Sequence, residues 1–105
     1  MVNLDKEINY VKDQIIAIFR PEKIILFGSA VHGKFKEDSS DLDFCIIKED
    51  VPNRFIDRRK EVRKKIDYNI ACDFLVYKSS EIKERLKMGD PLVKEIYNKG
   101  SVIYG

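Results

Sequence analysis

Asp41 and Asp43 stand two residues apart in the run S-D-L-D-F, at the head of an apolar stretch that ends at Ile47. In an extended chain this spacing points both carboxylates one way and Leu42 and Phe44 the other. Like charges so placed repel, and burying them unpaired is costly, so they need a cation between them or open water around them. A divalent ion with oxygen ligands meets that need, and Mg²⁺ is commonly held by one or two carboxylates plus substrate phosphates. Upstream, Ile24, Ile25, Leu26 and Phe27 run straight into Gly28 and Ser29. A glycine directly after a strand permits a tight turn and close backbone approach. The serine hydroxyl and successive N–H groups can then cradle phosphate oxygens. Phosphate on one side and a cation on the other describe a nucleotide site.

Strand, Gly28-Ser29, a second glycine at Gly33, then Ser40, Asp41, Leu42 and Asp43 on a following strand form an ordered pattern. It resembles the nucleotidyltransferases of the DNA polymerase beta superfamily, and within them the minimal nucleotidyltransferase domain proteins, which are about this long. The resemblance implies an α/β (α+β) nucleotidyltransferase fold, a small mixed sheet with helices packed against it. It also implies a third carboxylate on a later strand, beside the acidic pair. A competing motif is present, because Gly28 to Lys34 satisfies G-x-x-x-x-G-K after a strand. Phe35 stands where that phosphate loop requires a Mg²⁺-binding Ser or Thr, and K-E-D-S-S follows instead of an amphipathic helix, so the competing reading is set aside.

The third carboxylate is sought in N-I-A-C-D-F-L-V-Y, residues 69–77, apolar almost throughout except for Asp73. A lone carboxylate in such a run needs a reason. An edge or bulge position would supply one; the order along the chain favours Asp73 as the family's third acid. On that resemblance Asp41, Asp43 and Asp73 are the expected catalytic and Mg²⁺-binding residues of a two-metal site, and Gly28 and Ser29 the expected nucleotide-binding residues. The sequence departs from the family where Ala30 and His32 replace arginines common in relatives, which implies weaker nucleotide binding. The loop from Ser29 to Asp41 is also about one residue longer than usual. His32 is read as a surface residue.

Elements to position these groups follow from periodicity. Leu4, Ile8, Val11, Ile15 and Phe19 recur on one helical face, with Asn3 to cap it and Pro21 to end it. Strands are expected over 23–27 and 41–47, joined by a short helical turn and a mobile loop. Pro52 should open a second helix with Phe55, Ile56, Val62 and Ile66 as its apolar face, before the strand over 69–77. Ser80 should cap a helix that stops at Gly89, and Asp90-Pro91 should start another that closes at Gly100, ahead of a short strand S-V-I-Y. The second helix carries Arg54, Arg58, Arg59, Lys60, Arg63, Lys64 and Lys65. With no aromatic residues interleaved, a solvated helix face is preferred to a nucleic-acid surface.

The 105 residues suit one domain spanning 1–105, and an apolar content of 44% supports a small core. The chain should fold alone or gain from pairing as a homodimer. A net charge of +2 is too small to argue for nucleic acid or a membrane surface. Nothing resembles a signal peptide and no apolar run approaches the ~18 residues of a membrane span, so the cytoplasm is the expected location. Cys45 and Cys72 lack C-x-x-C spacing and sit in apolar runs, which reads as buried free thiols.

The resemblance carries three further implications. Its substrate is ATP or another nucleoside triphosphate, from which a nucleoside monophosphate moves to a hydroxyl. The acceptor is brought by a partner, commonly a small helical protein of the HEPN class, to which the minimal proteins act as antitoxin to toxin. Two alternatives stay open: an enzyme that adenylylates such a partner, or a binding module that neutralises it by occlusion. A nucleic-acid tailing enzyme is a weaker third, since it requires the basic helix to line the cleft.

Overall fold

The computed structural model describes residues 3–36 and 39–105. Glu37 and Asp38, within the loop expected ahead of Asp41, lie outside the described residues. The first apolar stripe forms α1 (Leu4–Phe19), which buries Val11 and Ile15. Asn3 caps it, the side-chain oxygen accepting from the Lys6 N–H at 3.2 Å, and Arg20, in the left-handed region at φ 51°, ends it before Pro21.

Strands β1 (Lys23–Phe27), β2 (Leu42–Ile47), β3 (Cys72–Tyr77) and β4 (Ser101–Tyr104) make one mixed sheet in the order β3-β2-β1-β4. β1 is antiparallel to β2 and to β4, whereas β2 and β3 are parallel. Parallel neighbours require a crossover, and α2 (Phe55–Lys65) supplies it. After β3 come α3 (Ser79–Met88) and α4 (Pro91–Lys99), which return the chain to β4.

Alternation along the strands divides the core between the two faces of the sheet. Leu42, Phe44 and Ile46 pack with Val11, Ile15, Val62, Phe74 and Val76 on the α1 and α2 face. Cys45 and Ile47 join Ile25, Tyr77, Ile82, Val93 and Ile96 on the other. Each such side chain stabilises the fold by roughly 1.5–3 kcal/mol when fully buried. A one-residue slip of β2 would exchange the two sets, so its register is held from both sides. The lead-in to β3 is fixed from α1: Gln14 donates to the Asp67 carbonyl at 2.7 Å and accepts from the Asp67 N–H at 2.8 Å.

Four boundaries differ from expectation. β2 begins at Leu42, leaving Asp41 just ahead of the ladder, and β3 begins at Cys72 and not at Asn69, whose amide turns to Glu7. α2 starts at Phe55, because the carbonyls of Pro52 and Asn53 are taken by the Arg58 guanidinium. Ser80 lies within α3 and does not cap it; the Glu81 carboxylate reaches back to the Lys78 N–H at 2.7 Å, and Glu49 accepts from the Ser80 N–H and hydroxyl. Gly89, at φ 75°, stops α3, and Asp90 accepts from the N–H groups of Leu92 and Val93 as expected of a cap before Pro91.

The basic run needs a larger correction. Arg58 is 1% exposed and forms a bidentate pair with Glu81, at 2.7 and 3.1 Å, while also donating to the Val76 carbonyl. Its guanidinium lies over the Phe55 ring, 4.4 Å from the centroid. Arg58 is therefore a strut between α2, β3 and α3. Both cysteines are free and buried, and burial pushes each thiol up to about 12. Among the described residues no helix is long and apolar enough to cross a membrane.

Candidate active site

Three strand ends meet at one edge of the molecule. β1 closes with Phe27 opposite Asp43, and Asp43 in turn lies in register with Asp73 of β3. Paired residues of neighbouring strands share a face. Since Leu42, Phe44, Cys72 and Phe74 belong to the α1 and α2 side, Asp43 and Asp73 project together on the other. The lone carboxylate of the third strand thus lies beside Asp43. Asp41, before the strand proper, is exposed.

The electrostatics follow from this crowding. Asp43 is half-buried, and its carboxyl is raised from the ordinary 3.8 to about 6, first by loss of hydration, then by the charge of Asp73 and then by that of Asp41. The three acids therefore share one field, with Asp43 at its centre. The backbone closes in from the opposite side. Gly28 adopts φ +79°, and a Cβ there would collide with Asp43 Oδ2, so only glycine permits both the turn and the approach. Gly28 and Ser29 open a short 3₁₀ turn (Gly28–Ala30), tied by Val31 N–H to Gly28 carbonyl and Lys34 N–H to Ser29 carbonyl bonds.

Asp73 is already engaged. Its Oδ1 accepts from Arg59 Nη2 at 2.6 Å and from the Phe74 N–H at 3.1 Å, and Arg63 Nη2 stands 3.6 Å away. Both arginines come from α2. Because Val62 of α2 packs on the far face of the sheet, they reach Asp73 around the β3 edge. As the side chains stand, no three acidic, His or Cys residues among those described converge closely enough to cage an ion. The chemistry of the donors nevertheless fits Mg²⁺: all are hard carboxylate oxygens, Asp41 and Asp43 have no cationic partner among the described ion pairs, and Mg²⁺ takes one or two carboxylates and completes its shell with phosphates and water. A hollow of about 220 Å³ lined by Phe19, Lys48, Val51, Arg58 and Val76 lies toward the opposite end of β2 and is separate from the acids.

The family model for the nucleotidyltransferase domain matches residues 8–103. The chain belongs to this nucleotidyltransferase family. A crystal structure of a Sulfolobus solfataricus protein, named as a candidate nucleotidyltransferase, is similar in fold, with a TM-score of 0.64 at 19% identity over 95% of this chain and 81% of that one. None of the curated proteins matches. The mixed sheet with its flanking helices is thus the nucleotidyltransferase fold, and the family supports a transferase.

Within this nucleotidyltransferase domain, sequence reasoning missed Arg59 and Arg63 as neighbours of Asp73. The available signal was their spacing: residues four apart on a helix lie on one face, and these two are both arginine. That spacing gives a face but no direction, and the direction here is set by Arg58.

Proposed function

We propose that the chain is a Mg²⁺-dependent nucleotidyltransferase that moves a nucleoside monophosphate, AMP from ATP, to a hydroxyl on a helical partner protein of the HEPN class, and so acts as its antitoxin in the cytoplasm. The observation that carries the catalytic part is the row Gly28, Asp43, Asp73, in which a carboxyl raised to about 6, first by burial and then by the charges of Asp73 and Asp41, faces a glycine turn. The partner and the antitoxin role rest on the family resemblance.

In this reading Gly28 and Ser29 grip the terminal phosphates through backbone N–H groups and the serine hydroxyl. Asp41 and Asp43 would hold Mg²⁺ with Asp73 as a further ligand, and the Asp73 carboxylate would aid removal of the acceptor proton. Bound Mg²⁺ would supply charge stabilisation at the reacting phosphoryl oxygens. The acceptor oxygen forms a bond to the α phosphorus as the bond to the bridging oxygen breaks. Pyrophosphate leaves, and the acceptor proton passes to a carboxylate or to solvent. An occluding binding module is the second reading; the engagement of Asp73 by Arg59 favours it, since that acid is not presented to a cation in the resting protein.

The test is incubation of the protein with labelled ATP, Mg²⁺ and the HEPN protein encoded beside it, in parallel with an Asp41→Asn, Asp43→Asn double variant. Label on the partner with the wild type alone supports transfer. A stable complex without label supports occlusion, and neither label nor complex removes the partner assignment.

A further inference from the structure

The pairing of Asp73 with α2 has a feature that a merely structural ion pair lacks. Arginine and carboxylate pair best in a bidentate fork, as Arg58 and Glu81 do here. Arg59 instead reaches Asp73 through Nη2, while its Nε is buried without a hydrogen-bond partner. Two donors, Arg59 Nη2 and the Phe74 N–H, bond to Asp73 Oδ1, and Arg63 Nη2 stands 3.6 Å from the same oxygen. One carboxylate oxygen is thus crowded while a guanidinium donor goes unmet. Asp73, Arg59 and Arg63 are each partly exposed, at 35%, 40% and 50%, so the pairing can be exchanged without unpacking the core.

Building on the metal-dependent transfer described above, we propose that Arg59 is a positioning residue that stands in for the second cation. In the resting protein it holds Asp73, leaving Asp41 and Asp43 as the single cation site. A nucleoside triphosphate, whose phosphates can satisfy both Nη2 and the unmet Nε, draws Arg59 away and frees Asp73 to ligate. Cation occupancy of the second position then depends on nucleotide, which guards the site against filling with metal alone. Arg63, one turn along, neutralises Asp73 partly and follows Arg59.

A double-mutant cycle read by Mn²⁺ binding tests this without any turnover. Mn²⁺ binding to the full chain is counted by the electron paramagnetic resonance of the free ion, in the absence of nucleotide, for wild type, Arg59→Gln, Asp73→Asn and the double variant, with thermal melts to verify folding. The expected result is one ion for the wild type, an unchanged count for Asp73→Asn, a second ion for Arg59→Gln, and loss of that second ion in the double variant. Lys60→Gln, which removes an exposed charge one residue away, reports the general field effect and should leave the count at one. A second ion in the wild type, no gain in Arg59→Gln, or a gain that survives Asp73→Asn overturns the proposal. In a second arm, with the metal chelated, the affinity for a non-hydrolysable ATP analogue should fall about tenfold in Arg59→Gln, the loss of one charge-assisted contact. An unchanged affinity overturns the exchange. If Asp43→Asn binds Mn²⁺ as the wild type does, the metal reading itself fails, an outcome distinct from failure of the Arg59 exchange alone.

Discussion

Asp43→Asn should stabilise the metal-free protein, and only above a defined pH. The folded state holds the Asp43 proton more tightly than an unfolded chain does, with the carboxyl at about 6 against the ordinary 3.8. Between those values the folded form binds more protons than the unfolded one, so the contribution of this residue to stability falls as pH rises. Below 3.8 the group is protonated in both states and costs nothing. Above about 6 it is ionised in both, and the lost hydration, with the repulsion from Asp73 and Asp41 added to it, is felt in full. The whole rise corresponds to roughly 3 kcal/mol. Asp43 is only half-buried, so solvent screening removes about half of that and leaves about 1–1.5 kcal/mol. For a domain of this size that raises the melting temperature by roughly 5–10 °C.

The assay is thermal unfolding followed by circular dichroism in EDTA at pH 8, pH 6 and pH 4, comparing Asp43→Asn with wild type. The gain should be full at pH 8, reduced near pH 6 and almost absent at pH 4. Adding Mg²⁺ at pH 8 should raise the wild type more than the variant, because a ligand that binds only the folded form stabilises it by mass action. A variant that melts at or below the wild type at pH 8 without metal would refute the reasoning. It would mean that the carboxylates are too far apart, or too well hydrated, for their mutual repulsion to matter.

Other consequences can be checked with the same material. Asp41→Asn, at an exposed position, should change stability by less than about 0.5 kcal/mol, yet abolish label transfer to the acceptor; retained transfer would remove Asp41 from the site. Gly28→Ala must place a Cβ against Asp43 in a left-handed backbone, so it should cost about 2 kcal/mol, lower the melting temperature by roughly 10 °C and cut nucleotide binding measured by calorimetry. Arg58→Ala leaves Glu81 and buried carbonyls unpaired and should cost roughly 3–5 kcal/mol by urea denaturation, with a loss below about 1 kcal/mol counting against the strut. Cation affinity should weaken as pH falls through about 6, because protonation of Asp43 competes with the ion; a flat profile from pH 7.5 to pH 5 would show that Asp43 is no ligand.

Much of this architecture could be read from residue types because local and long-range preferences agree. The apolar stripe of α1, the cap at Asn3, the Asp90-Pro91 start of α4 and the apolar strands each satisfy a short-range rule that burial then reinforces. Gly28 could be singled out for the same reason, since a strand running into glycine announces a turn. The alternation that places Asp43 with Cys45 and Ile47, away from Leu42 and Phe44, is a property of any strand. What was illegible was pairing between elements. Nothing in the run 54–65 distinguishes Arg58, at 1% exposure, from exposed Lys60. The distinction comes from Glu81, more than twenty positions downstream on another helix. The partner of Asp73 was hidden likewise, because the crossover decides which side of α2 reaches the β3 edge.

These two hidden contacts are one arrangement. Successive helical residues point about 100° apart, whereas residues four apart share a face. Arg58 is fixed by Glu81 in α3, by the Val76 carbonyl in β3 and by two carbonyls ahead of the helix, and this sets the rotation of α2 about its own axis. Once that rotation is set, Arg59 and Arg63 can only fall along the β3 edge, where Asp73 lies. The buried pair thus orients the exposed one. A lysine in place of Arg58 would keep the charge but lose the fork and most of its donors. The Asp73 carboxylate is in this way supplied with guanidinium groups by a helix whose alignment depends on a contact about 100° away around its axis. The cost of burying Arg58 is balanced by directional hydrogen bonds on every side, which an apolar residue of similar volume could replace for packing but not for orientation.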